Sequence, residues 1–257
     1  MSPGRDGEND LGLLLIEIGV LSGLDARGRY EEPPKAAIAV SEDAMAIVLG
    51  PDVPDALAGR LHAIVDGAGA NGRPHIRPPA ADQCRTVLES ACGTIKLTSG
   101  PSYYVEPPLS SSTDMTILVC TKPDDVRRLG DARPDSWEPE EWRELLAGGL
   151  GPWVMLADDE RVVSICHTPR ATATGAEAGT WTEPECRGHG HAAAATAEWA
   201  NLAAGGPVRH LFYSTSRDNR SSQRVAQRLG LHELGWLWKL SKPAATDRSW
   251  PAGHALG

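Results

Sequence analysis

The residues best placed to do chemistry are Cys186-Arg187-Gly188-His189-Gly190-His191-Ala192, which follow the run Ala178-Gly179-Thr180-Trp181-Thr182 and precede an alanine-rich segment. A strand, a glycine-bearing turn and a helix start leave backbone N–H groups converging on one point with no carbonyls to absorb them. Aligned peptide dipoles add partial positive charge there, which suits a phosphate or pyrophosphate. Gly188 and Gly190 let the backbone approach such an anion and tolerate positive φ. The plainer reading is a glycine turn into a helix with no ligand, since short patterns of this kind recur by chance. Cys186, His189 and His191 could instead be metal ligands. No clear fourth ligand stands nearby, and they occupy the turn a phosphate would need, so no metal is expected. Cys186 has no base placed beside it to make it a nucleophile.

The elements that must hold this turn follow from periodicity and punctuation. Glu177–Thr182 reads as the strand leading in, and Gly190–Ala204 as the helix leading out, stopped by Gly205-Gly206-Pro207. Val208–Ser214 is the next strand. Asn219–Leu229 is a helix with Asn219 or Asp218 as its N-cap and Gly230 as its stop, and Gly235–Leu240 is a final strand. Upstream, Trp153–Ala157 and Arg161–His167 form a hairpin, with a loop at Pro169–Gly175, and Pro139–Leu146 is a helix. In the first half, Leu11–Leu24, Pro54–Val65 and Asp82–Cys92 read as helices. Ala36–Val40, Ala44–Leu49, Thr94–Thr98, Tyr103–Val105 and Met115–Cys120 read as strands, with a turn expected at Ser99-Gly100-Pro101. The acidic, proline-containing stretch 121–140 is where a domain boundary belongs, near residue 130. That divides the chain into an N-terminal α/β domain over 1–130, a second domain over 131–240 and a flexible tail over 241–257.

At 257 residues the chain can bury a substantial core. A formal charge of −9 argues against nucleic acid or an anionic membrane as the main partner. The five cysteines are odd in number and widely spaced, which fits free thiols in a reducing cytoplasm rather than a disulfide framework. Leu11–Leu21 is shorter than the ~20 residues a bilayer needs and carries Glu17. Asp6, Glu8 and Asp10 ahead of it have the wrong sign for a signal peptide.

Taken in order, a strand, an Arg-x-x-Gly-x-Ala turn, a helix, a strand and Asn-x-x-Ser on a helix ending Leu-Gly-Leu resemble the GNAT superfamily of acyl-CoA-dependent N-acetyltransferases. The residues that carry the likeness are Arg187, Gly188, His189, Gly190, His191 and Ala192, with Asn219, Ser222, Leu229, Gly230 and Leu231 downstream. It covers roughly residues 135–240. With Ser214-Thr215-Ser216 ahead of Asp218-Asn219, it extends to bacterial members with an extra α/β half in front. The resemblance implies an α/β fold, an α+β mixed sheet whose central strands splay apart. Residues 131–240 would then be the acetyl-CoA-binding catalytic domain, and the N-terminal half a degenerate copy of the same fold that helps wall off the acceptor.

The resemblance also implies site residues. The amides of Gly188–Ala192, flanked by Arg187, His189 and His191, would hold the pyrophosphate of acetyl-CoA. The pantetheine arm would lie between the parted strands and add a pseudo-strand to Trp181–Thr182. A free N–H on that strand would stabilise the tetrahedral oxyanion. Asn219, with Ser216 and Ser222 nearby, would reach the pantetheine amide, although a plain helix cap explains Asn219 equally well. The implied reaction is direct attack of a primary amine on the acetyl thioester in a ternary complex, with acceleration drawn from positioning. A lysine-like amine has a pKa of ~10.4, so a base or water chain must take its proton. Glu177 is the first candidate, or else a strand-edge carboxylate facing water; His167 is the second, or else merely half-buried. Ala226 stands where many relatives place a tyrosine that protonates the leaving thiolate; Tyr213, Ser216 and Ser222 could replace it. That gap makes a catalytically impaired acyl-CoA-binding sensor the alternative to an enzyme. The expected partners are acetyl-CoA and an amine-bearing acceptor, in the cytoplasm, with no nucleic acid or membrane and with a homodimer allowed.

Overall fold

Continuous apolar runs such as Ala36–Val40 and Val154–Ala157 become strands buried on both faces, and they join one sheet. The computed structural model describes residues 7–30, 35–110, 112–159 and 161–243, so the N-terminal six residues and the expected tail from 244 onward lie outside the described residues. In chain order the elements are α1 (Asp10–Ser22), β1 (Ala36–Val40), β2 (Met45–Leu49), α2 (Asp55–Asp66), α3 (Pro79–Cys92), β3 (Lys96–Val105), β4 (Thr116–Val119) and α4 (Pro123–Arg128). There follow α5 (Pro139–Leu146), β5 (Val154–Asp158), β6 (Arg161–Ala171), β7 (Gly175–Thr182), α6 (His191–Ala203), β8 (His210–Ser214), α7 (Arg220–Leu229) and β9 (His232–Ser241). The nine strands run in the order β2-β1-β9-β3-β8-β7-β6-β5-β4. This is the mixed α/β sheet expected.

Alternation along the strands sends side chains to two faces. On one face, Ile38, Trp236 and Trp238 pack beneath α2 and α3, and Val163, Ala176 and Tyr213 beneath α6 and α7. On the other face, Ala37, Phe212 and Leu237 pack against α1, and Leu118, Met155 and Ile165 against Trp137 and α5. α1 is seated closely: a methyl group added to Gly175 would stand 2.9 Å from both Val20 of α1 and Phe212 of β8. None of the described helices is long and apolar enough to cross a membrane.

Two features depart from the sequence reading. Ser99-Gly100-Pro101 does not turn; β3 runs straight through it, pairing Gly100 with Leu237 and Pro101 with Trp236 of β9. The glycine serves close approach: a Cβ on Gly100 would overlap the carbonyl of Thr215. Pro101 keeps its carbonyl, which accepts from the Thr215 N–H at 3.2 Å. The second departure is α4, unassigned from sequence, although Pro123 at its start, Asp124 and Asp125 in its first turn and Arg127 and Arg128 in its last are ordinary helix signals.

The connectivity of the sheet positions the site. β7 and β8 run parallel but pair only from Gly175–Glu177 to His210–Phe212. Beyond Glu177 they part. β3, from the first half of the chain, then lies between β8 and β9, antiparallel to both.

Candidate active site

The gap between β7 and β8 opens into two cavities that share Thr180 and Trp181. The first, about 570 Å³, is a groove lined by Trp181, Thr182, Arg187, Gly188, Gly190 and Ala192, with Asn219, Ser222 and the α7 residues Ser221, Arg224 and Arg228 opposite. Gly188 and Gly190 sit at φ +86° and +91°, a region that penalises a Cβ. Gly190 caps α6 without a side-chain hydrogen bond, and Ala194 is the first amide in α6 bonded back to it. Among the described residues, no acceptor closes on the amides from Gly188 to Ala193. They form the anion cradle the local sequence requires. Arg187 Nε donates to the Thr182 carbonyl at 3.1 Å, tying the turn to the end of β7.

Other expected residues fall nearby. Asn219 caps α7, its side chain accepting from the Ser222 N–H at 3.0 Å while lining the groove. The Ser222 hydroxyl lies 2.7 Å from Tyr213 Oη, and burial raises the Tyr213 pKa to about 12. His189 and His191 stack on each other with ring centroids 5.9 Å apart and stand outside the groove lining. Among the described residues, no three His, Cys, Asp or Glu side chains gather as a metal site. Arg217 turns away from the groove and donates to the His75 carbonyl at 2.6 Å, stacking over Trp236 and Trp238. Ala226 is fully buried in the core.

The second cavity, about 630 Å³, lies on the α1 face of the sheet. Glu177 and His167 line it, with Trp137, Arg170, Ser216 and Lys239. The first half of the chain contributes Leu21 of α1 and Thr98–Ser102 of β3 to its wall. Glu177 is not the water-facing strand-edge carboxylate that the sequence allowed: it is 2 % exposed. Its Oε1 accepts from Ser214 N at 2.7 Å and Ser214 Oγ at 2.6 Å, while Oε2 is buried with no partner. Burial lifts its pKa to about 7 against those hydrogen bonds and the charges of Lys239 and Arg170, all of which lower it. His167 is also buried, its ring edge-on to Trp137 at 5.5 Å.

Sequence reading missed several members of this region. Ser221 and Arg228 follow helical spacing and share one face of α7 with Arg224, a signal that was readable. Glu17, Arg170 and Lys239 gave no signal, because they stand on three elements far apart in sequence. Glu17, on α1, is fully buried. Ser102 and Ser214 face its carboxyl without closing a well-formed hydrogen bond, which leaves both carboxyl oxygens and the Ser102 hydroxyl unpaired. Burial first, and then the neighbouring Glu177, push its pKa well up.

Comparison with known proteins gives one family. Residues 106–232 match the family model for an acetyltransferase (GNAT) domain. No curated protein matches the chain. Among solved structures, the chain is similar to a GNAT-family acetyltransferase from Novosphingobium aromaticivorans, at 21% identity and TM-score 0.41, covering 58% of this chain and 66% of that one, just under two thirds of its length. It is also similar to a GNAT-family acetyltransferase from Colwellia psychrerythraea, at 13% identity and TM-score 0.48, covering 91% and 96%. A tandem GNAT protein from the clavulanic acid biosynthesis pathway matches at 14% identity and TM-score 0.44, covering 95% and 98%.

Proposed function

The chain belongs to the GNAT superfamily of acetyltransferases, and from that premise we propose that it moves an acetyl group from acetyl-CoA to a primary amine by direct attack in a ternary complex. The observation that carries the reading is the meeting of two cavities at Thr180 and Trp181, with an anion cradle in one and a buried carboxylate of raised proton affinity in the other. Acetyl-CoA enters as substrate. The unpaired amides of Gly188–Ala193, with Arg187, Arg224 and Arg228, suit its phosphates. The pantetheine arm has the parted edge of β7 to run along, with Asn219 and Ser222 across the groove.

The acceptor amine occupies the α1-side cavity and meets Glu177. A carboxylate with a pKa of about 7 is ionised just above neutrality and can still accept a proton there, which a surface glutamate does far less well. It takes the ammonium proton of the acceptor. The neutral amine then attacks the thioester carbonyl, and the oxyanion is met by backbone N–H on the unpaired edge of β7. The thiolate leaves without a dedicated acid, since a thiol has a pKa of ~8.5, and the second proton on the attacking nitrogen passes to that thiolate or to solvent, leaving a neutral amide. His167, edge-on to Trp137, shapes the wall of the cavity.

A second reading is a sensor that binds acyl-CoA without turnover, favoured by one observation, the fully buried Ala226 in place of a tyrosine acid. Thiol release from acetyl-CoA across an amine panel, run beside calorimetry with CoA, decides between them. Acceptor-dependent release supports the enzyme; binding with no release from any amine supports the sensor; no binding overturns both.

A further inference from the structure

The second cavity holds two cations that the chemistry above does not use. Lys239 projects from β9 on the α1 face, beside Thr98 of β3 in register, and lines the cavity wall. Arg170 projects from β6 directly across from Glu177 of β7 and stands exposed at the same cavity. Among the described residues, no hydrogen bond or ion pair closes on either side chain.

Glu17 and Glu177 act on Lys239 through their charges but close no hydrogen bond or ion pair with it. Burial pushes the Glu17 pKa well up, and Glu177 has one oxygen held by Ser214 and must accept a proton during turnover. Arg170 faces Lys239 as a like charge, and burial pulls the Lys239 pKa down. A largely desolvated ammonium with no hydrogen-bonded partner is costly, and an anion brought by a ligand would supply one. Trp137 and Trp181 supply apolar wall to the cavity, and Trp181 also lines the groove. The cavity thus presents an acid for an amine, cations for an anion and aromatic surface in the same wall.

We propose that the acceptor carries a free carboxylate as well as its amine, in the manner of an amino acid, with the carboxylate held by Lys239 and Arg170 and the amine by Glu177. This rests on the acetyltransferase reading for the amine, but the carboxylate site is a matter of binding and is tested apart from turnover.

Matched sets differing only in the acidic group test it: L-phenylalanine, phenylalaninamide and phenethylamine, and β-alanine, β-alaninamide and propylamine. Affinity for the CoA-loaded protein is read by calorimetry and kcat/KM by thiol release. The acid of at least one set should exceed both neutral partners about tenfold or more, the worth of one charge-assisted hydrogen bond. The amide has the more readily deprotonated amine, so a preference for the acid runs against that bias. K239M should collapse the ratio to within about threefold; K239Q does the same if K239M misfolds, and R170Q should reduce it in part. Equal binding within every set, absent binding throughout, or a preference untouched in both Lys239 variants overturns the proposal. Equal turnover of acids and neutral amines overturns it while leaving the acetyltransferase reading in place. Selective binding of acids with no thiol release upholds the carboxylate site and overturns the acetyltransferase reading instead.

Discussion

Replacing Glu177 with glutamine separates the chemistry of this site from its architecture. The carboxyl is 2 % exposed, and burial raises its pKa from 4.5 to about 7. As a base it works in its ionised form, so kcat/KM should climb with pH through about 7 and then level off for that group. Glutamine preserves an oxygen to accept from Ser214 N and Oγ, but it cannot take a proton. E177Q should therefore lose roughly 10²–10⁴-fold in kcat/KM, together with the limb near neutrality. Stability should move the other way. In the unfolded chain Glu177 ionises near 4.5 and in the folded protein near 7, so between those values the folded state holds more protons. Stability then falls as pH rises through that window and stays lower above it. A rise of this size corresponds to at most roughly 3 kcal/mol lost by pH 8. Glutamine carries no such penalty. In urea melts E177Q should be more stable than the wild-type protein at pH 8, with the difference shrinking towards pH 5. A variant that turns over amine within about threefold of wild type would remove Glu177 as the base. One less stable than wild type at pH 8 would refute the buried-charge argument itself.

Other perturbations address the groove and the sheet. Gly190 sits at φ +91° with the Arg228 guanidinium against the face where a Cβ would go, so G190A should weaken CoA binding tenfold or more by calorimetry; unchanged affinity would count against the cradle. N219A removes the α7 cap and should cost about 1 kcal/mol in urea unfolding. If Asn219 also meets the pantetheine, the variant binds dephospho-CoA and CoA equally more weakly; a stability loss with unaltered affinity leaves it a cap alone. R228Q should lower CoA affinity several-fold and flatten its dependence on salt, and identical salt curves for the two proteins would place Arg228 outside the phosphate contacts. G100A forces a methyl into the Thr215 carbonyl where β3 crosses the site, and should destabilise by more than about 2 kcal/mol; a soluble variant with wild-type stability would mean that β3 does not approach Thr215 this closely.

What the amino-acid sequence determines here is local. The Arg187–Ala192 turn, the alanine-rich α6, the cap at Asn219 and the stop at Gly230 each follow from propensities and capping chemistry within a few residues, which is why their bounds were readable in order. The same locality explains the misreading of Ser99-Gly100-Pro101. Glycine and proline normally break a strand, and only the Thr215 backbone packed against Gly100 shows that a strand needs a bare Cα at that point. The tertiary structure alone decided how far β7 and β8 pair before parting, because that depends on what packs on both sides of the sheet. It alone decided the proton affinity of Glu177. Burial sets that affinity, and the burial comes from α1, seated about 160 positions earlier in the chain, together with β3 and β8. A side chain's type is written in the sequence, but its desolvation is a sum over neighbours that only folding brings together.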